Sequence, residues 1–122
     1  MARPREFNES DVLRAAIVTF GTHGFNALSV DTVLKELGLN RSSFYKVFGS
    51  KHGLFRMALE MVCQSAEEGI VDYDAKNLVL VALTELAPTS KDIRARTHEA
   101  VRLCFNDDPA ELGQHVLSRA GH

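Results

Sequence analysis

The chain has no tryptophan, only two cysteines and three prolines in 122 residues. Cys63 and Cys104 are far apart and carry no metal-ligand spacing, so the sequence offers neither a disulfide framework nor a zinc motif. Long hydrophobic runs are also missing. The longest, Leu78 to Leu83, is six residues, too short for a bilayer. Behind Met1-Ala2-Arg3-Pro4-Arg5 there is no apolar stretch of the kind that directs secretion, so the expected compartment is the cytoplasm. No glycine-rich phosphate loop, nucleophile motif or paired-carboxylate pattern stands out. An enzyme is not expected, and neither catalytic residues nor a cofactor nor a metal are assigned.

What is present is an ordinary globular composition, 45% apolar and 25% charged. The length suits roughly five to seven helices around a modest core. The net charge of −2 is unevenly spread: residues 1–56 balance at +3 and residues 57–122 at −5. A basic front on an acidic remainder is what a polyanion-binding first part would show.

Helical periodicity recurs along the chain, each time behind a capping residue. Asn8 precedes Val12, Leu13, Ala16, Ile17 and Phe20, with Gly24 as the stop and Phe25 and Leu28 packed beneath the connection. Ser29 opens a short helix through Val33, Leu34 and Leu37 that stops at Gly38, and Asn40 opens a third carrying Phe44, Val47 and Phe48. Ser50 opens a fourth, lined by Leu54, Phe55, Ala58, Met61, Val62 and Ala66. Val71 to Asn77 is polar and acidic and reads as a connection. Leu78 to Ala87 is apolar nearly all round and reads as a buried helix ended by Pro88. Thr89 or Ser90 then caps a helix through Ile93, Thr97, Val101 and Cys104. Asp108-Pro109-Ala110-Glu111 supplies a cap, a first-turn proline and a capping-box glutamate for a last helix with Leu112, Val116 and Leu117. His98 and His115 read as solvated, and the cysteines as small core residues. The expected fold is all-α.

Two short helices joined at Gly38-Leu39-Asn40 have the spacing of a helix-turn-helix. The glycine permits positive φ in the tight turn, and Leu39 plugs the angle between the helices. Val33, Leu37, Phe44 and Val47 are expected to hold the pair together. The second helix then shows Arg41, Ser42, Ser43, Tyr45 and Lys46 at its start, the short polar and basic surface that enters a major groove. A plain helical corner would share the turn; the flanking residues separate the two.

The stretch Leu39 to Phe55 resembles the signature of TetR-type transcriptional regulators. Tyr45 and Phe48 are three residues apart and followed by Gly49, Ser50-Lys51 and the apolar pair Leu54-Phe55. Phe20, Gly24-Phe25 and Ser29 match the lead-in, so the resemblance covers Asn8 to about Ala66. It departs at Leu34, where alanine is usual, and at Ser42, where glycine is frequent. The resemblance implies base contacts from Arg41, Ser42, Ser43 and Lys46. It implies phosphate contacts from Ser29, Thr32, Tyr45 and Lys51, the last through both its side chain and its backbone N–H. Arg3 and Arg5 are similar to the minor-groove arm of some members.

The implied organisation is an N-terminal arm and three-helix DNA-binding domain over 1–52, then a connecting helix and a shortened helical regulatory or dimerisation region over 53–122. The implied function is sequence-specific regulation of transcription as a repressor, a homodimer on a pseudopalindrome of double-stranded DNA, with no membrane partner. The family's small-molecule inducer would need a larger domain than the 54 residues from Gly69 onward supply. The one space considered for a short pocket lies between the fourth helix, Leu78–Ala87 and Ile93–Cys104. The dimer surface is expected on Leu78–Ala87 and on Leu112, Val116 and Leu117, with burial inside one subunit the competing explanation for the apolar run. The other reading is a truncated regulator that pairs with a full-length relative or no longer binds DNA.

Overall fold

A computed structural model describes residues 8–121. The described chain is all-α: α1 (Glu9–His23), α2 (Val30–Leu37), α3 (Arg41–Phe48), α4 (Lys51–Glu67), α5 (Tyr73–Val81) running into a π-helical turn (Ala82–Leu86), α6 (Lys91–Phe105) and α7 (Pro109–Arg119). Each α-helix opens on a side chain that accepts a first-turn N–H: Asn8, Ser29, Asn40, Ser50, Asp72, Ser90 and Asp108. Such a cap contributes about 1 kcal/mol.

One continuous core runs through the molecule. The rings of Phe20, Phe25 and Phe55 meet at centroid distances of 5.3–5.6 Å and tie α1, the turn after it and α4 together. Beyond them, α5 packs on α1, and α6 packs on α4. The ion pairs Arg96–Glu60 (2.8 Å) and Arg56–Asp92 (3.4 Å) flank the α4–α6 seam.

Four expectations are corrected here. The acidic segment Val71–Asn77 is not merely a connection, because Asp72 caps Ala75 N–H and starts α5 at Tyr73. Asn77 is buried there against His115, whose Nε2 lies 2.7 Å from Asn77 Oδ1. His115 is therefore a core residue, not a solvated one. Desolvation holds its pKa below the usual histidine value, and the Lys76 and Arg119 charges act in the same direction. Glu111 does not close a capping box: Asp108 N–H goes to Phe105 O, and the Glu111 carboxylate accepts from Asn106 Nδ2 (3.2 Å). Finally, Leu78, Val79, Leu80, Val81 and Ala82 are all buried by their own chain, so the run does not require a second copy to cover it.

Around the expected pocket, Leu59, Val62, Leu78, Leu86, Ile93 and Ala100 are all buried in the core. Cys63 and Cys104 are buried free thiols, both pushed up to about 11 by burial, which keeps them out of the reactive thiolate form.

Candidate nucleic-acid interface

The turn between α2 and α3 is built as the sequence requires. Gly38 adopts φ 68°, ψ 34°, left-handed backbone that suits glycine. The next N–H, from Leu39, reaches back 3.0 Å to Leu34 O and closes α2. Asn40 then caps Ser43 N–H at 2.8 Å and starts α3 at once. Phe44 and Phe48 anchor α3 in the core, whereas Val47, expected there, is 39% exposed and faces outward. At 3.6 residues per turn, 47 lies about 60° to one side of 44 and 48 about 40° to the other, so 47 falls at the edge of the buried stripe.

The same geometry leaves Arg41, Ser42, Tyr45 and Lys46 exposed and Ser43 partly so. Arg41 is paired with Asp31 in the first turn of α2. The Ser29 hydroxyl accepts Thr32 N–H (3.1 Å) and donates to Thr32 Oγ1 (3.0 Å), leaving the exposed Thr32 O–H at the end of that short relay. Tyr45 is 44% exposed, with its ring edge-on to Phe44 at 4.9 Å. Five of the residues proposed from sequence for bases or phosphates thus project from α3, and two sit at the start of α2. Arg3 and Arg5 lie outside the described residues.

Lys51 is placed differently from expectation. Its ammonium turns inward and donates to Phe25 O (2.9 Å) and Leu28 O (2.6 Å), 4.2 Å from the centroid of the Phe25 ring. Partial burial lowers its pKa, and the Glu85 carboxylate acts to raise it. Its backbone N–H stands at the start of α4, where the first N–H groups of the helix converge.

Two residues were not singled out from sequence. Gly53 lies so close to the end of α3 that a Cβ there would stand 2.1 Å from Phe48 O; the glycine lets α4 start directly against that carbonyl. Asp31, in the first turn of α2, occupies the guanidinium expected to read a base.

The tight glycine turn, the Asn40-capped α3 and its exposed polar start together have the geometry of a helix-turn-helix. Residues 12–58 match the family described as "Bacterial regulatory proteins, tetR family". The N-terminal part of this chain is accordingly similar to TetR-type helix-turn-helix domains. Among its relatives, the HTH-type transcriptional repressor BdcR of Escherichia coli (strain K12) is 47% identical over 57 residues, 47% of this chain and 29% of BdcR. The uncharacterized HTH-type transcriptional regulator YezE of Bacillus subtilis (strain 168) is 32% identical over 72 residues, 59% of this chain and 37% of YezE. The chain therefore spans about a third of the length of these curated relatives. No solved structure matches the chain significantly. Among the described residues no helix is long and apolar enough to cross a membrane.

Proposed function

We propose that this chain is a sequence-specific DNA-binding regulator of transcription, acting as a repressor, as the relative BdcR is named. The observation that carries the reading is the exposed start of α3, held off the core by Phe44 and Phe48 and presented by the Gly38 turn. In this reading α3 lies in the major groove. Arg41 leaves Asp31 to bind a guanine edge, and Ser42, Ser43 and Lys46 contact neighbouring bases. Tyr45, Ser29 and Thr32 take phosphates on the two flanks, and the start of α4 at Lys51 adds its backbone N–H.

Residues 1–52 would read DNA, and residues 53–122 would hold that reader and pair two copies. A single short recognition helix touches few base pairs, so two half-sites are needed for useful selectivity. Support for pairing comes from α7, where Val116 (49%) and Leu117 (50%) are exposed. Leu112 packs partly on the core and is less suited to that role.

Selection of duplexes from a random library by the purified chain tests the reading. The expected product is a pseudopalindrome bound by a particle of twice the chain mass. Arg41→Ala should relax preference at one position in each half-site, costing about 1–3 kcal/mol there. Val116→Asp with Leu117→Asp should halve the mass and weaken binding to the full site while sparing the fold. Failure to enrich any sequence sinks the reading. A monomer that binds one half-site tightly sinks the dimer.

A further inference from the structure

The turn from Gly24 to Leu28, which joins α1 to α2, is held from two sides. Glu85, in the π-helical turn far along the chain, accepts the N–H groups of Phe25 (2.9 Å) and Asn26 (2.8 Å) on Oε1. From the other side, the Lys51 ammonium holds the carbonyls of Phe25 and Leu28. A carboxylate on the N–H groups and an ammonium on the C=O groups make one charged clamp from three remote segments. The approach is close: a Cβ on Gly24, whose φ is +89°, would stand 2.8 Å from Glu85 Oε2.

The clamp adjoins both anchor points of the reading helices. Ser29, the residue after the turn, is the N-cap of α2, and Lys51 is the first residue of α4, two positions beyond the glycine that ends α3. Glu85 belongs to neither. It is aimed at the turn by a local irregularity, where Ala87 N–H bonds to Ala82 O (2.8 Å), five residues back. A π-turn inserts a residue into the helical repeat and redirects the side chains around it, and such turns are frequent at functional sites.

We propose that Glu85 is a positioning residue for DNA recognition, which fixes the presentation of α2 and α3 through the Gly24–Leu28 turn and Lys51. It is also the point at which the second part of the chain sets the DNA affinity of the first. The inference rests on the DNA-binding reading above. Without the carboxylate, the turn keeps its ammonium but loses the acceptor for two N–H groups, so the reading helices spend less time in the competent arrangement. Apparent affinity falls in proportion to that fraction.

The test uses the full chain, the duplex that the wild type enriches from a random library, and amide exchange followed by NMR. Glu85→Ala is expected to weaken binding about tenfold, as for a competent fraction cut to about one tenth. The salt dependence should not change, because no phosphate contact is lost. Exchange should quicken at Phe25 and Asn26 and in the first turns of α2 and α4. Glu85→Gln, whose amide oxygen still accepts both N–H groups, should recover most of the affinity. Should Glu85→Ala not fold, Glu85→Asp, whose carboxylate is one methylene shorter, takes its place beside Glu85→Gln. Wild-type affinity in folded Glu85→Ala, or a loss accompanied by a shallower salt slope, overturns the proposal. So does an exchange change confined to Phe25 and Asn26. A wild-type chain that enriches no duplex refutes the DNA-binding reading itself, while the exchange pattern still decides whether the clamp reaches α2 and α4.

Discussion

Replacing Lys51 by methionine keeps most of the apolar stem and removes the ammonium, so it isolates what that charge does. The ammonium serves two carbonyls, Phe25 O and Leu28 O, and the face of the Phe25 ring. A hydrogen bond from a charged donor contributes about 1.5–3 kcal/mol and an exposed cation–π contact about 0.5–1. Lys51 is only partly buried, so water reaches the vacated carbonyls, and methionine is spared the cost of desolvating a charge. The low end applies, a net loss of about 2 kcal/mol, a large share of the roughly 5–15 kcal/mol that hold a domain of this size. With a urea slope of about 2 kcal/mol per molar, the unfolding midpoint should fall by about 1 M.

A pH signature accompanies it. Since burial lowers the Lys51 pKa in the folded chain, the unfolded chain holds this proton to higher pH. Lys51 should therefore make wild-type stability rise with pH between its folded pKa and the usual lysine value of 10.5, and the methionine variant should lose that rise. DNA affinity should drop with no change in its salt dependence. An unchanged urea midpoint together with a salt slope lower by about one unit would mean that the ammonium serves a phosphate instead, and the assignment of Lys51 as a clamp would fall.

Gly53→Ala should cost about 3 kcal/mol or more, because its Cβ would meet a backbone carbonyl rather than a flexible side chain; a thermal midpoint within a degree of wild type would contradict this. Asp31→Asn should tighten binding about threefold, by freeing Arg41 from an exposed ion pair and removing a negative charge beside the DNA; fluorescence anisotropy at fixed salt measures it, and weaker binding would exclude Arg41 as a reader. His115 has a folded pKa below its unfolded value, so wild-type stability should decline as pH falls through 6.5 toward that folded pKa. His115→Gln should be less stable at neutral pH but flatter over this window in urea titrations, and an equally steep variant would assign the pH dependence elsewhere.

Local chemistry was legible in the sequence and remote pairing was not. Asn8, Ser29, Asn40, Ser50, Ser90 and Asp108 cap helices within three residues of themselves, so each start could be read from its own neighbourhood. Asp72 caps in the same way but sits in an acidic stretch whose buried members, Ala75 and Asn77, look like surface. Asn77 is inside because His115 answers it from α7, and neither residue shows that alone. The helix-turn-helix is legible in its glycine and caps, yet Val47 is not, because an apolar residue beside Phe48 fits two helical registers until the neighbouring helix is placed. Glu85 gave no local sign at all, since its partners are fifty-nine and sixty residues away.

Helices α2 and α3 have little stability of their own. Each is eight residues long, well below the length at which an isolated helix persists in water. Their caps fix where they begin, but their orientation is borrowed from α1 and α4 through Phe20, Phe25, Phe55, Phe44 and Phe48. Those supports are shared: α1 also carries α5, and α4 also carries α6, within one continuous core. A boundary between residues 52 and 53 falls inside the first turn of α4, where Leu54 and Phe55 are fully buried. Any displacement of α5 or α6 must then either compress a close-packed core or tilt α1 and α4, and tilting is the softer response because packed interiors resist compression. The charged clamp at Gly24–Leu28 spans that junction, with the π-helical turn on one side and the starts of α2 and α4 on the other.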